Sequence, residues 1–232
     1  MKETVRVSSS VIGKSKKRHW SIRMIEVLTI PLGAFQVNCY LLIDRDSGEF
    51  TVIDAPALSP VFNDLLSKRL RGKQIILTHG HIDHIAALKP LKEKLGCKVA
   101  MHKEDFFLLN HVAENPFREM LQASIPQEPD EWLTETSELT VGTFPIHVIH
   151  TPGHTPGSVS FYIPGTGVFT GDALFRESVG RTDLPGGNTG VLMESIREKL
   201  FALPDDTVVF PGHGPSTKIG HEKIHNPFIQ YP

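Results

Sequence analysis

The sequence concentrates four metal-ligating side chains in the short segment His79-Gly80-His81-Ile82-Asp83-His84. Neutral imidazole binds zinc, iron and similar ions, and a carboxylate adds a harder oxygen donor. The segment follows a short apolar strand pattern and precedes a helical one, so its ligands would lie at a rigid strand end. A helix cap needs only one polar residue. The pattern therefore predicts a metal site.

Three later segments each place one further candidate ligand after an apolar strand pattern: His154 between two Pro-Gly pairs, Asp172 after Gly171, and His213 in a Gly/Pro loop. Taken singly, each could be a turn residue. An aspartate buried at a strand end, however, needs a cation or several donors. Five histidines and two aspartates exceed what one closed structural zinc site requires. They suit two adjacent metals with a bridging carboxylate.

The elements that must position these residues are strands in both halves of the chain with helices between them. Helical spacing is predicted for Pro60–Leu70, for Ile82–Leu95 with an interruption at Pro90, and for Thr189–Leu200. The absence of strict βαβ alternation favours an α+β fold with two sheets packed face to face and helices outside. The predicted strands are Met24–Ile30, Gln36–Asp44, Phe50–Asp54, Gln74–Thr78, Lys98–His102, Ile146–His150, Ser158–Ile163, Val168–Thr170 and Thr207–Phe210.

Composition narrows the class of protein. The chain has 232 residues, of which 40% are hydrophobic, and a formal net charge of −2, so we expect an ordinary globular domain that does not bind nucleic acid. No apolar run approaches the length of a membrane span, and two cysteines make no disulfide framework. We expect a cytoplasmic monomer or homodimer. Residues 1–23 are basic and are predicted to form a flexible extension, with organelle targeting left open, before a single domain at 24–232.

The four ligand segments resemble the metallo-β-lactamase superfamily, specifically its glyoxalase II-like branch of small single-domain hydroxyacylglutathione hydrolases. The first segment matches the family's His-x-His-x-Asp-His signature, and the other three follow in the family's chain order. The resemblance runs from about residue 24 to the C-terminus. It implies a four-layer αββα sandwich of two mixed β-sheets flanked by helices, with the site at one edge of the sheets.

The same resemblance implies a role for each ligand. The first metal would take His79, His81 and His154, the second would take Asp83, His84 and His213, and Asp172 would bridge them. Asp54, which ends a strand before Pro56, would orient a ligand histidine, its alternative being a cap. The implied cofactors are two divalent ions, with zinc leading and iron or manganese as alternatives. The catalytic candidates are Asp83, Asp54 and Asp172.

The implied reaction is hydrolysis of a small-molecule thioester such as S-lactoylglutathione, in which a metal-bridging hydroxide attacks the carbonyl carbon. An alternative from the same superfamily is a mononuclear iron persulfide dioxygenase, which would use only His79, His154 and Asp172. A lactonase is less favoured. Asp172 also argues against the best-known class of β-lactamases, which carries a cysteine in the corresponding region.

Substrate recognition is predicted less directly. Full-length glyoxalase II enzymes hold glutathione partly through a helical C-terminal domain, whereas only 19 residues follow His213 here. The family's substrate-binding tyrosine aligns with Phe161, and Tyr162 is adjacent. Arg181 could bind a substrate carboxylate or form an ion pair with Asp183. Lys218 is a basic candidate for an anionic substrate, or simply a solvated surface residue.

Overall fold

The computed structural model describes residues 3–6 and 25–229. Its larger sheet contains seven strands in chain order, antiparallel from the first to the fourth and parallel from the fourth to the seventh. The sheet is therefore mixed. Its strands are β1 (Glu3–Arg6), β2 (Glu26–Leu32), β3 (Val37–Asp44), β4 (Glu49–Ile53), β5 (Arg71–Ile76), β6 (Lys98–His102) and β7 (Glu131–Leu133).

A second sheet of six strands and a separate two-stranded hairpin come from the other half of the chain. The strands of the second sheet are β8 (Leu139–Val141), β9 (Phe144–His150), β10 (Val159–Ile163), β11 (Gly167–Gly171), β14 (Val208–Pro211) and β15 (Thr217–Lys218). The hairpin consists of β12 (Leu174–Phe175) and β13 (Ser178–Val179). Strands β11 and β14 pair in parallel, whereas the other pairs in this sheet are antiparallel, so this sheet is mixed too.

The helices are short and begin and end where local chemistry dictates. The Ser59 hydroxyl caps the first helix by accepting a hydrogen bond from the Val61 amide, and Pro60 occupies its first turn. The predicted helix at Ile82–Leu95 is two helices, and Pro90 lies in the first turn of the second, where its missing N–H costs nothing. The helices are α1 (Pro60–Ser67), α2 (Ile82–Ile85), α3 (Leu88–Leu95), α4 (Phe106–Asn110), α5 (Thr189–Glu194), continued by a π-helical turn (Ser195–Leu200), and α6 (Ile219–His225).

Three apolar clusters show how these elements stack. Successive residues of β3 point to opposite faces, so Leu42 lies between the two sheets with Phe161, while Leu41 faces Phe62 of α1. Leu192 of α5 belongs to a third cluster on the outer face of the second sheet. Because helices cover the outer faces of both sheets, the predicted α+β, four-layer αββα sandwich is confirmed.

The predicted N-terminal extension at 1–23 falls mostly outside the described residues. Within it, Glu3–Arg6 pairs with Glu26–Thr29, while 1–2 and 7–23 are not described, so the prediction of a flexible extension stays a prediction. In the described part of the chain, none of the helices combines the length and apolar character that crossing a bilayer requires.

Candidate metal centre

The seven predicted ligands come from four chain segments, each of which follows a strand of one of the two sheets. His79 and His81 lie between β5 and α2, and Asp83 and His84 lie within α2. The other three ligands follow strands of the second sheet: His154 lies after β9, Asp172 after β11 and His213 after β14. The structure brings all seven together in one cluster.

One set of three imidazoles forms the first half of the cluster. His79, His81 and His154 each offer a ring nitrogen, and these nitrogens lie within 4.8 Å of one another. The distance between His81 Nδ1 and His154 Nε2 is only 2.9 Å. His79 and His154 are buried, whereas His81 is partly exposed. Three convergent imidazoles with one open side are a typical donor set for a catalytic zinc-type ion.

A carboxylate and two imidazoles form the second half. Asp83, His84 and His213 offer donor atoms that also lie within 4.8 Å of one another. His213 Nε2 is 3.4 Å from His84 Nε2 and 3.5 Å from Asp83 Oδ2. His84 is fully buried and His213 is about one-third exposed, so this half opens to solvent on the His213 side.

Asp172 lies between the two halves. Its Oδ1 is 3.4 Å from His84 Nε2, and its Oδ2 is 3.6 Å from His154 Nε2 and 3.5 Å from His213 Nε2. The carboxylate therefore contacts imidazoles of both sets, which is the position that a bridging ligand needs.

A buried carboxylate, Asp54, orients the ligands of the first motif from behind. Its Oδ2 accepts a hydrogen bond from His84 Nδ1 at 2.8 Å, and its two oxygens accept from the amide and hydroxyl of Thr78, both at 2.8 Å. Because the Thr78 hydroxyl donates its hydrogen to Asp54, its oxygen can accept a hydrogen bond from His79 Nδ1 at 3.1 Å. In their neutral form, both imidazoles then carry the proton on Nδ1 and turn the Nε2 lone pair toward the cluster.

Two backbone carbonyls fix the proton on Nδ1 of His154 and His213, whose Nε2 atoms also face the cluster. The carbonyl oxygen of Arg181 lies 2.7 Å from His154 Nδ1, and that of Phe35 lies 3.1 Å from His213 Nδ1. A carbonyl can only accept, so each ring nitrogen facing it must be the protonated one. Sequence reasoning missed both contacts, because any residue type supplies a backbone carbonyl.

The protonation states of the cluster show where a cation would fit. Burial opposes a charge on His84, but the three nearby carboxylates outweigh it and raise its pKa, so without an ion His84 carries a second proton that a bound cation would displace. Burial lowers the pKa of His79 well below its ordinary value and that of His81 to about 4, so both are neutral ligands at pH 7. Burial opposes ionisation of Asp172, but the imidazoles of His84, His154 and His213 outweigh it and hold the pKa of Asp172 well below its usual range.

Two buried atoms of the cluster lack a hydrogen-bond partner among residues 3–6 and 25–229: His79 Nε2 and Asp172 Oδ1. The 3.4 Å contact of Asp172 Oδ1 with His84 Nε2 is not a hydrogen bond when that nitrogen carries a lone pair. Orphaned buried acceptors are costly. Because both belong to the predicted ligand set, bound cations would satisfy them, and the residues present fit two metal ions.

The predicted substrate-binding side chains are placed differently. Phe161 is fully buried in the core between the sheets and offers no surface to a substrate, so its assignment is corrected. Tyr162 points to the other face of β10 and packs against the outer helical cluster. The exposed Arg181 guanidinium donates two hydrogen bonds of 2.7 Å to Asp183. This is the ion pair that was the alternative to binding a substrate carboxylate. Lys218 is exposed in β15, and its binding role stays a prediction.

Comparison with known proteins agrees with the fold. The chain is 37% identical to hydroxyacylglutathione hydrolase GloC of Haemophilus influenzae, over 86% of this chain and 96% of GloC. It is also similar to solved structures, among them the following three. BLEG-1 B3 metallo-β-lactamase is 39% identical (TM-score 0.80; 88% of this chain, 99% of that one). TTHA1623 in a di-iron-bound form is 38% identical (0.76; 86% and 98%). ETHE1 of Myxococcus xanthus is 31% identical (0.70; 87% and 83%). The model of the metallo-β-lactamase superfamily matches residues 32–213, and the chain belongs to that superfamily.

Proposed function

We propose that this metallo-hydrolase cleaves thioesters such as S-lactoylglutathione at a centre of two divalent ions. The observation that carries the proposal is the pair of three-donor sets, His79/His81/His154 and Asp83/His84/His213, with Asp172 in contact with both. The similarity to GloC supports the thioester as substrate. Two such ions would supply a water-derived nucleophile near neutral pH and polarise the substrate carbonyl.

Asp83 is the residue of the chain that would orient the attacking water. Asp83 Oδ2 lies 3.5 Å from His213 Nε2 and 3.9 Å from His84 Nε2, at the more exposed half of the cluster. Burial opposes its ionisation, yet His84 and His213 lower its pKa, so it is a carboxylate at neutral pH. An ionised carboxylate there can accept a hydrogen bond from the attacking water and orient it. The leaving thiolate is stable, so no acid is needed to protonate it.

A cavity of about 320 Å³ beside His213 offers room for the thiol part of the substrate. Phe175 and Pro215 line it with apolar surface, and Arg176 and Ser178 add polar groups. The Arg176 guanidinium is held only loosely by Glu177, at 3.9 Å. An apolar wall next to an available guanidinium suits a thiol that carries carboxylates, as glutathione does.

Changing Arg176 to alanine tests this part of the proposal. The variant should raise KM for S-lactoylglutathione about three- to fivefold and leave kcat nearly unchanged, because a partly exposed ion pair contributes modest, uniform binding. Steady-state kinetics measure this. The matched control is Arg71→Ala, an exposed arginine paired with Glu49 on the first sheet, which should change neither constant. An unchanged KM in the Arg176 variant would remove the cavity from the proposal.

The substrate itself is tested by a hydrolysis assay on protein of known metal content. Zinc-loaded protein should hydrolyse S-lactoylglutathione, lose the activity on chelation and regain it when zinc is restored. A fully metallated sample without activity would eliminate this substrate.

One second candidate is the iron persulfide dioxygenase that the family resemblance also allows, because its implied ligands His79, His154 and Asp172 are all in the cluster. Oxygen uptake in the presence of glutathione persulfide distinguishes the two. A single bound iron together with oxygen consumption would support the dioxygenase and rule out the hydrolase.

A further inference from the structure

Asp105 is a fully buried carboxylate that lies outside the seven ligands and that sequence reasoning missed. It ends a 3-10 turn, Lys103–Asp105, directly after β6. Strands β5 and β6 are parallel neighbours, so their C-terminal ends lie side by side. A strand-end acid at this sheet edge was the signal that could have found it.

The Asp105 carboxylate joins the two loops that carry the first ligand set. Its Oδ2 accepts hydrogen bonds from the Gly80 amide at 2.8 Å and from the Thr155 hydroxyl at 2.7 Å. Its Oδ1 accepts from the Gly157 amide at 2.6 Å. Gly80 lies between the ligands at positions 79 and 81, and Thr155 directly follows the ligand at 154. One side chain therefore ties together the loops of all three imidazoles.

The surrounding glycines leave space for this contact. A Cβ on Gly157 would come within 2.6 Å of the Asp105 backbone nitrogen and 2.7 Å of its Oδ1. A Cβ on Gly80 would lie 3.0 Å from the Asp105 carbonyl oxygen. Larger residues at either position would push the loops away from the carboxylate.

We propose that Asp105 is a positioning residue that sets the geometry of the His79/His81/His154 set, and thereby its affinity for a metal ion. It acts through backbone amides and a hydroxyl, because none of its hydrogen bonds reaches an imidazole. The proposal rests on the metal centre proposed above and is independent of the thioester as substrate.

The test is zinc binding by the apoprotein of an Asp105→Asn variant, measured by competition with a chromophoric chelator. The asparagine NH₂ would face at least one of the three donors, so the two loops must separate. We expect one of the two zinc dissociation constants to rise about 10- to 100-fold, as loss of a supporting contact typically does, and the other to change little. No substrate is present, so a failure of the thioester assignment cannot affect the result.

Glu222→Gln is the matched control. Glu222 is also fully buried and accepts three hydrogen bonds, from the Thr217 hydroxyl, the Glu177 amide and the Asn226 side chain, none of which belongs to the first ligand loops. It should lower the melting temperature while leaving both zinc constants within about threefold of the original. Equal weakening of zinc binding in the two variants, or none in the Asp105 variant, would overturn the proposal.

A pair of milder variants covers the case in which Asp105→Asn does not fold. Thr155→Val removes one hydrogen bond to Asp105, whereas Thr155→Ser keeps the hydroxyl. We expect the valine variant to weaken one zinc constant severalfold and the serine variant to restore it. Indistinguishable zinc binding by the two would also overturn the proposal.

Discussion

Replacing His81 by alanine is expected to reduce thioester hydrolysis by about 10³-fold or more. His81 Nδ1 lies 2.9 Å from His154 Nε2 and is one of three donors in the first set. Losing that donor removes an ion whose stabilisation of transition-state charge amounts to several kcal/mol. The measurement is kcat/KM for S-lactoylglutathione together with the number of bound ions per chain.

The control for this variant is His147→Ala, an exposed histidine on β9, which should keep full activity and both ions. The prediction also separates the two candidate functions, because His81 is not among the three ligands of the mononuclear alternative. An His81 variant that keeps hydrolytic activity would contradict the two-metal account. One that keeps a single iron and oxygen uptake would favour the dioxygenase.

Asp54→Asn is the second change for which we expect a large effect, about a 100-fold loss of activity with loss of the second ion. The Asp54 carboxylate accepts from His84 Nδ1 on one oxygen and from the Thr78 amide on the other. An asparagine that keeps the Thr78 contact turns its NH₂ toward His84. His84 would then carry its proton on Nε2, the atom that must bind the ion.

Asparagine also tolerates the left-handed backbone at position 54, where φ is 62°, so the change tests the carboxylate and not the backbone. Elemental analysis should find about one ion per chain. Asp44→Asn, at an equally buried position at the end of β3, should retain two. Two tightly bound ions and full activity in the Asp54 variant would show that the carboxylate does not control the His84 tautomer.

The clustering of the candidate ligands could be predicted from the sequence because each of their four segments follows a strand, and strand ends of packed sheets converge. His154, Asp172 and His213 are individually ordinary turn residues, and only the first motif makes them significant. The residues that hold the candidate ligands in place were harder to predict from the sequence. Asp54 came from the family resemblance, whereas Asp105 lies 25 residues after Gly80 in no ligand motif, and the contact between them becomes visible only once β5 and β6 are paired.

The differences between the predicted and the observed positions of residues and strands also have physical explanations. Neighbouring residues of a strand point to opposite faces, and which of Phe161 and Tyr162 faces the core depends on how β10 pairs with β9 and β11. Neither face of that strand opens toward the cluster. The strands β7 and β8 were missed because three residues are too few to show an alternating pattern.

We expect this chain to bind two ions, one in each donor set. Anomalous diffraction from crystals of the zinc-loaded protein tests it most directly. Two zinc peaks should appear in each chain, one held by His79, His81 and His154 and one by Asp83, His84 and His213, with the Asp172 carboxylate between them. A single peak at full zinc occupancy, held by His79, His154 and Asp172 alone, would contradict it.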